Sequence, residues 1–357
     1  MAHLSQETPL ILQRSSTMLH QSLKDIFIFS NFCWESTSTR IRYIALSLIK
    51  KHRLFYVEPP VLGMTGQPKL NESYSAEGLT VLTPYLPLST EEKNKNDITH
   101  ALLKVFIEQE NITYYDSWYF SPGAWDYSHS LHPQSIIYNV EHEFELDTPL
   151  ADEASYIFSS QQIDHDRCIL IPDGVDFEHF SQARLSLIRP DDLADIPSPR
   201  IGCYSVYDQD LIEEVARRRP DLQFIFLMQE GSVELSNVHY LGMKNFFSLP
   251  LYFSHWDVAL TSDRENQMME LLASGTPVIC LNEREIDDGL IHQATNIDDV
   301  IFKIDLALQQ NTIDPYWIDR VDSYLQSKSW DHQVELMLKG QRPAVDFPTT
   351  DSPALTQ

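Results

Sequence analysis

The stretch "SDRENQMMELLASGTPVICL" (Ser262–Leu281) sets a carboxylate, Glu270, at the opening of an apolar helical run, with one cation, Arg264, just ahead of it. A carboxylate offers two acceptor oxygens, the complement of a vicinal diol. The start of such a helix also presents backbone amides and the positive end of a dipole, which favour phosphate. On a solvated helix face the same glutamate would do neither. A second group lies in "YNVEHEFE", where His142 sits among Glu141 and Glu143. Those carboxylates should raise its pKa and favour imidazolium. Such a ring can donate to a hydroxyl, unless it is a lone surface histidine. Arg40, in "SNFCWESTSTR", could reach a phosphate or a hydroxyl, or simply face water at a helix start. "YLGMKN" (Tyr240–Asn245) ends a strand, where backbone groups can read the edge of a base or make an ordinary turn.

Loops can hold such groups only if strands deliver them to one edge. Short apolar runs alternate with helical stretches throughout, which argues βαβ units and parallel sheets. "DIFIFS", "RLFYVEPP", "GLTVLTPYLP", "ITYYDSWY", "SIIYNVE", "ASYIFSS" and "CILIPDG" read as strands of a first half. "TRIRYIALSLIKKH" is a helix whose core face is Ile41, Ile44, Ala45, Leu48 and Ile49, and "DITHALLKVFIEQEN" is another. The rhythm restarts with "RIGCYSV", "LQFIFLM", "VHYLG", "DVALTS" and "PVICL" as strands. We expect an α/β fold of two Rossmann-like domains facing across a cleft, residues 23–180 and 181–326, with a helix over 327–340 crossing back to the first domain. Residues 1–22 and 341–357 read as flexible tails, the latter rich in Pro, Thr and Ser. Ligands of two such sheets lie at the C-terminal ends of their strands.

Composition narrows the chemistry. With 26 Lys+Arg against 52 Asp+Glu, the formal charge of −26 repels polyanions, so nucleic acid is not an expected partner. Four widely spaced cysteines, Cys33, Cys168, Cys203 and Cys280, form no metal-type or redox-type pair, as expected of reduced thiols in a cytosolic protein. The opening residues lack a basic segment followed by an apolar run, so no secretory signal is expected. No run approaches the roughly 20 apolar residues that span a bilayer. The histidines form no ligand-spaced pair, and no metal is expected.

"CILIPDGVDFEHF", "NVHYLGMKNFFSLPLYFSHWDVAL" and "MELLASGTPVI" come in the order and spacing of retaining GT-B glycosyltransferases of the family-4-like group, which the chain resembles over most of Asp25–Lys339. "DIFIFSNFCWESTSTRIRYIALSLIKKHRLFYVEPP" further resembles a subgroup that builds bacterial surface polysaccharide, including teichuronic-acid glycosyltransferases. The resemblance implies transfer of a hexose, with retention, from a nucleotide-sugar held by the second domain to a glycan or lipid-linked acceptor held by the first. The nucleotide-sugar is then a co-substrate, and no cofactor is implied. Glu270 takes the position of the ribose-binding glutamate, and Met243, Lys244 and Asn245 that of the base-contacting loop. Tyr204, within "RIGCYSV", and Arg264 join the donor group; His142 and Arg40 stand beside the transferred sugar.

Two departures set up an alternative. The loop from Asp257 to Glu270 is several residues shorter than the family's, with Arg264 its one cation, and "YDQDLIEE" after "RIGCYSV" carries no Lys or Arg. A diphosphate wants Arg or Lys. The alternative reading is a catalytically degenerate GT-B protein that serves as partner or scaffold in a glycan-assembly complex. Arg42, Lys50, Lys51 and Arg53, with no acid between Ser36 and Val57, make a local basic patch, either a solvated face or a peripheral contact with the inner face of a membrane. Trp118, Tyr119, Trp125 and Tyr127 could stack on sugar rings or close a domain interface.

Overall fold

The structure, a computed structural model, describes residues 24–340 except 141, 142, 207, 229, 230, 232, 233, 263–265 and 282–288. The expected two-tail reading of 1–22 and 341–357 lies outside the described residues. The first sheet contains β1 (Asp25–Phe29), β2 (Arg53–Val57), β3 (Val61–Met64), β4 (Lys69–Tyr74), β5 (Thr80–Pro87), β6 (Tyr115–Tyr119), β7 (Ser135–Val140), β8 (Tyr156–Ser159) and β9 (Cys168–Leu170). Its order is β3-β5-β2-β1-β6-β7-β8-β9, parallel except for β4, which runs antiparallel on β5.

β1 shows why the sheet is buried on both faces. Ile26 and Ile28 point to a core shared with the helix Thr39–Ile49, while Phe27 and Phe29 point to a second core on the other face. Helices on both sides of a parallel sheet demand such continuous apolar runs. The helix Thr39–Ile49 starts where the Ser38 side chain accepts a hydrogen bond from the Ile41 amide, and it buries Ile41, Ile44, Ala45 and Leu48. Trp118, Tyr119 and Tyr127 are buried in these two cores, so they build the first domain and form no sugar platform.

The second sheet holds β10 (Arg200–Cys203), β11 (Gln223–Phe226), β12 (Val238–Tyr240), β13 (Val258–Thr261), β14 (Val278–Cys280) and β15 (His292–Gln293). All its pairings are parallel, in the order β12-β11-β10-β13-β14-β15. This is the doubly wound arrangement, and its winding reverses between β10 and β13. A crevice must open there.

The chain passes from one core to the other between Ile171, in the first, and Val175, in the second. It returns through the helix Trp330–Lys339, whose Trp330, Val334 and Met337 are buried in the first domain's core. Each such side chain contributes about 1.5–3 kcal/mol when fully buried. The two crossings touch: the Val175 amide donates to Lys328 O at 2.9 Å, and Trp330 N donates to Val175 O at 3.3 Å. Among the described residues no helix is long and apolar enough to cross a membrane.

Candidate functional site

Tyr204 and Ser205 follow β10, and Ser262 follows β13, so all three stand at the reversal of the second sheet. The Ser262 amide donates to Ser205 O at 3.1 Å, closing the crevice floor. Ser205 has a φ of 52°, in the left-handed region that a side chain rarely adopts. From the helix Asn266–Ala273 the Glu270 carboxylate comes into the same crevice. The Tyr204 hydroxyl donates to Glu270 Oε2 at 3.2 Å. The Tyr204 ring packs edge-on against Phe253, with centroids 5.2 Å apart.

Phe253 ends the short helix Leu249–Phe253, which follows the loop holding Met243, Lys244 and Asn245. In that loop Met243 is 81% exposed. Lys244 Nζ lies 2.7 Å from Asp192 Oδ2 and 4.8 Å from the centre of the Tyr252 ring. Burial pulls the Lys244 pKa down, but its contacts to Asp192 and Tyr252 outweigh that and raise it. Asn245 caps the following turn, its side chain accepting from the Ser248 amide at 3.0 Å. The loop is thus fastened by its own side chains, leaving Met243 and backbone groups to face outward.

The first domain contributes a residue that the sequence did not single out. Tyr43, on the helix Thr39–Ile49, stacks on Trp330 at 5.5 Å and meets Phe246 edge-on at 6.1 Å. Burial, together with the Asp176 and Glu270 carboxylates, pushes its phenol far above the usual range, so it stays a donor. A cavity of about 760 Å³ opens beside it, between this helix, the linker and the last two helices. Four carboxylates, Asp176, Glu178, Asp322 and Asp331, line it against one ammonium, Lys50. Burial holds the Asp176 carboxyl above its ordinary range. That cavity repels a diphosphate.

Arg40 bonds Asp173 of the linker and donates to Ile171 O at 3.1 Å, with Trp330 under its guanidinium at 5.8 Å. It ties the first domain to the crossing. His142 and Arg264 lie outside the described residues, as do Glu141, Asp263, Glu265 and Glu230. Asp208, in the acidic stretch after β10, caps the helix Gln209–Arg218 by accepting from the Leu211 amide at 2.9 Å. The basic patch is largely neutralised: Arg42 pairs with Glu77 and Lys50 with Asp331, each nearest contact at 2.9 and 2.8 Å, while Arg53 grips Asp25 at 2.8 Å. Among the described residues no group of three His, Cys, Asp or Glu is placed to hold a metal.

Comparison with solved structures decides the architecture. An α,α-trehalose-phosphate synthase (UDP-forming) from Burkholderia xenovorans superposes with a TM-score of 0.55 at 10% identity, covering 88% of this chain and 99% of that one. The fold is GT-B. Sucrose-phosphate synthase from Thermosynechococcus elongatus matches at 0.50 with 12% identity over 88% of this chain and 98% of its own. A protein assigned as a UDP-N-acetylglucosamine 2-epimerase from Listeria monocytogenes matches at 0.50 with 11% identity over 89% and 95%. No family model and no curated protein sequence matches this chain. Transferases and an epimerase share this frame, so the fold alone does not choose the reaction.

The decisive signal was present in the sequence. Strand order was not readable, but a doubly wound sheet has only one reversal, and it falls after the first strand of the domain. Tyr204 and Ser205 had to lie there.

Proposed function

We propose that the chain transfers a hexose from a nucleotide-sugar to a glycan or lipid-linked acceptor, with retention, in the cytoplasm. The observation that carries this reading is the Tyr204–Glu270 pair at the reversal of the second sheet. Glu270 accepts hydrogen bonds from the ribose hydroxyls, and the Met243–Asn245 loop faces the base. Arg264 supplies charge for the diphosphate, Arg40 ties the first domain to the linker, and His142 works beside the transferred sugar. The named synthases, one of them UDP-forming, support a nucleotide-sugar chemistry for such a frame. A surface-glycan role rests on the resemblance of the first domain to polysaccharide-building transferases.

Calorimetric titration with UDP-, GDP- and dTDP-sugars tests the reading. One of them should bind, and Glu270→Ala should weaken it by about 1.5–3 kcal/mol, the worth of a charge-assisted hydrogen bond. If none binds the wild type at millimolar concentration, the enzyme reading fails.

One observation favours the scaffold reading. Lys244 and Arg40, cations expected near the donor, are engaged by Asp192 and Asp173. A protein partner in glycan assembly would then be the ligand of the cleft. Contact with a membrane would have to compete with the carboxylates already paired to Arg42, Lys50 and Arg53.

A further inference from the structure

The cavity at the junction of the two domains lies apart from the donor crevice: none of Tyr204, Ser205, Ser262 or Glu270 lines it. Its volume of about 760 Å³ falls in the range that houses small organic ligands. The helix Thr39–Ile49 gives it Leu46 and Ile49, the linker gives Val175 and Phe177, and the last helix gives Trp330. These walls offer apolar and aromatic surface from which a ligand can displace water.

The charges around them do not cancel. Asp331 pairs with Lys50 at 2.8 Å, and Asp322 pairs with Arg184 at 2.8 Å. Glu178 reaches that same Lys50 only at 3.9 Å, with its side chain 86% exposed. Asp176 makes no ion pair among the described residues; its Oδ1 accepts from the His179 amide at 3.0 Å. The His179 ring lies instead on Phe246, with its Nε2 3.1 Å from Phe246 O. Burial raises the Asp176 pKa, as it does for a carboxylate short of counter-charge. Asp176 and Glu178 are thus two carboxylates that no cation of the fold closely answers.

Such a lining repels phosphates and carboxylates. A divalent metal ion wants a cage of oxygen ligands, and among the described residues no group of three His, Cys, Asp or Glu is placed to hold one. A neutral apolar ligand would strip water from the carboxylates and return nothing. An alkyl chain that carries two ammonium groups meets both demands. Its methylenes cover the walls, and its ammonium groups donate charge-assisted hydrogen bonds.

We propose that this junction cavity binds an aliphatic diammonium ion, its methylenes against Leu46, Ile49 and Phe177 and its charge answering Asp176 and Glu178.

The test is calorimetric titration of the full chain with 1,6-diaminohexane, 1-aminohexane and magnesium chloride. Salt is held at about 0.1 M NaCl, so that diffuse attraction to a chain of charge −26 is screened. The diamine should bind one to one, and about tenfold more tightly than the monoamine, the scale of one charge-assisted contact. Asp176→Asn keeps the oxygen that caps the turn but removes the charge, and it should weaken the diamine about tenfold. Glu178→Gln changes an exposed side chain that folding does not need, and it should weaken the diamine by a few fold. Glu72→Gln, on β4 and outside the cavity, should change nothing. No binding of the diamine at millimolar concentration overturns the proposal, as does equal binding of diamine and monoamine. Equal loss in all three variants would reveal diffuse cation attraction, and no loss in Asp176→Asn or Glu178→Gln would place the diamine elsewhere; either result overturns it too. Magnesium binding that those two variants abolish would assign the carboxylates to a metal ion and overturn it as well.

Discussion

Ser205 keeps a backbone conformation that costs an ordinary residue about 1–2 kcal/mol. Its φ of 52° turns the chain at the end of β10 so that Ser205 O meets the Ser262 amide at 3.1 Å. Strain of this kind persists where surrounding structure over-determines it, and functional crevices are common places for it. Serine tolerates the position better than a β-branched residue, whose second γ-atom crowds the left-handed well. Ser205→Val should therefore lower unfolding free energy by about 1–2 kcal/mol, read as a shift in urea midpoint at unchanged slope. Ser205→Gly should leave stability within about 1 kcal/mol, because relief of strain is offset by a freer unfolded chain. Equal midpoints for Ser205→Val and the wild type would show that the turn carries no strain. At this scale the sequence disclosed residue types but not their partners. Lys244 is a cation in the right loop, yet Asp192, far back in the chain, engages it at 2.7 Å.

Elements meet most tightly where the linker passes the last helix. A Cβ built on Gly174 would lie 2.7 Å from Trp330 N and 2.9 Å from Trp330 Cα, both backbone atoms that cannot swing aside. Gly174→Ala should thus push the two crossings apart and cost about 1–3 kcal/mol, the usual range for overpacking. Thermal unfolding monitored by tryptophan fluorescence reads this, since Trp330 sits at the contact. A variant as stable as the wild type would mean that the crossing yields freely. Strands were legible wherever both faces are buried, as in "DIFIF", because an apolar run of that length has few other uses. β3 and β4 escaped notice for the opposite reason: their residues are largely exposed, so no apolar period marks them. The basic helix misled in a similar way. It is locally free of acids, but Glu77, Asp331 and Asp25 reach it from other elements. Local charge patterning cannot foresee partners that only the fold supplies.

For the whole molecule, a formal charge of −26 acts on any anionic donor before contact is made. Fields of this size reach beyond single pairs, and at low salt they are barely screened, with a Debye length of about 30 Å at 0.01 M against about 10 Å at 0.1 M. The described surroundings of the crevice add to the repulsion. Asp176, Glu178, Asp322 and Asp331 line the neighbouring cavity, and Lys244 and Arg40 are paired with carboxylates. A phosphate site built from unpaired cations weakens as salt rises, because screening reduces its attraction. Here long-range repulsion should dominate, and donor affinity should instead strengthen by a few fold between about 0.01 and 0.1 M NaCl. The measurement is the dissociation constant of the best-binding nucleotide-sugar at both salt concentrations. A steep weakening with salt would show that cations, Arg264 foremost, outweigh the acidic frame, and the short loop before Glu270 would then be a working phosphate site in its own right.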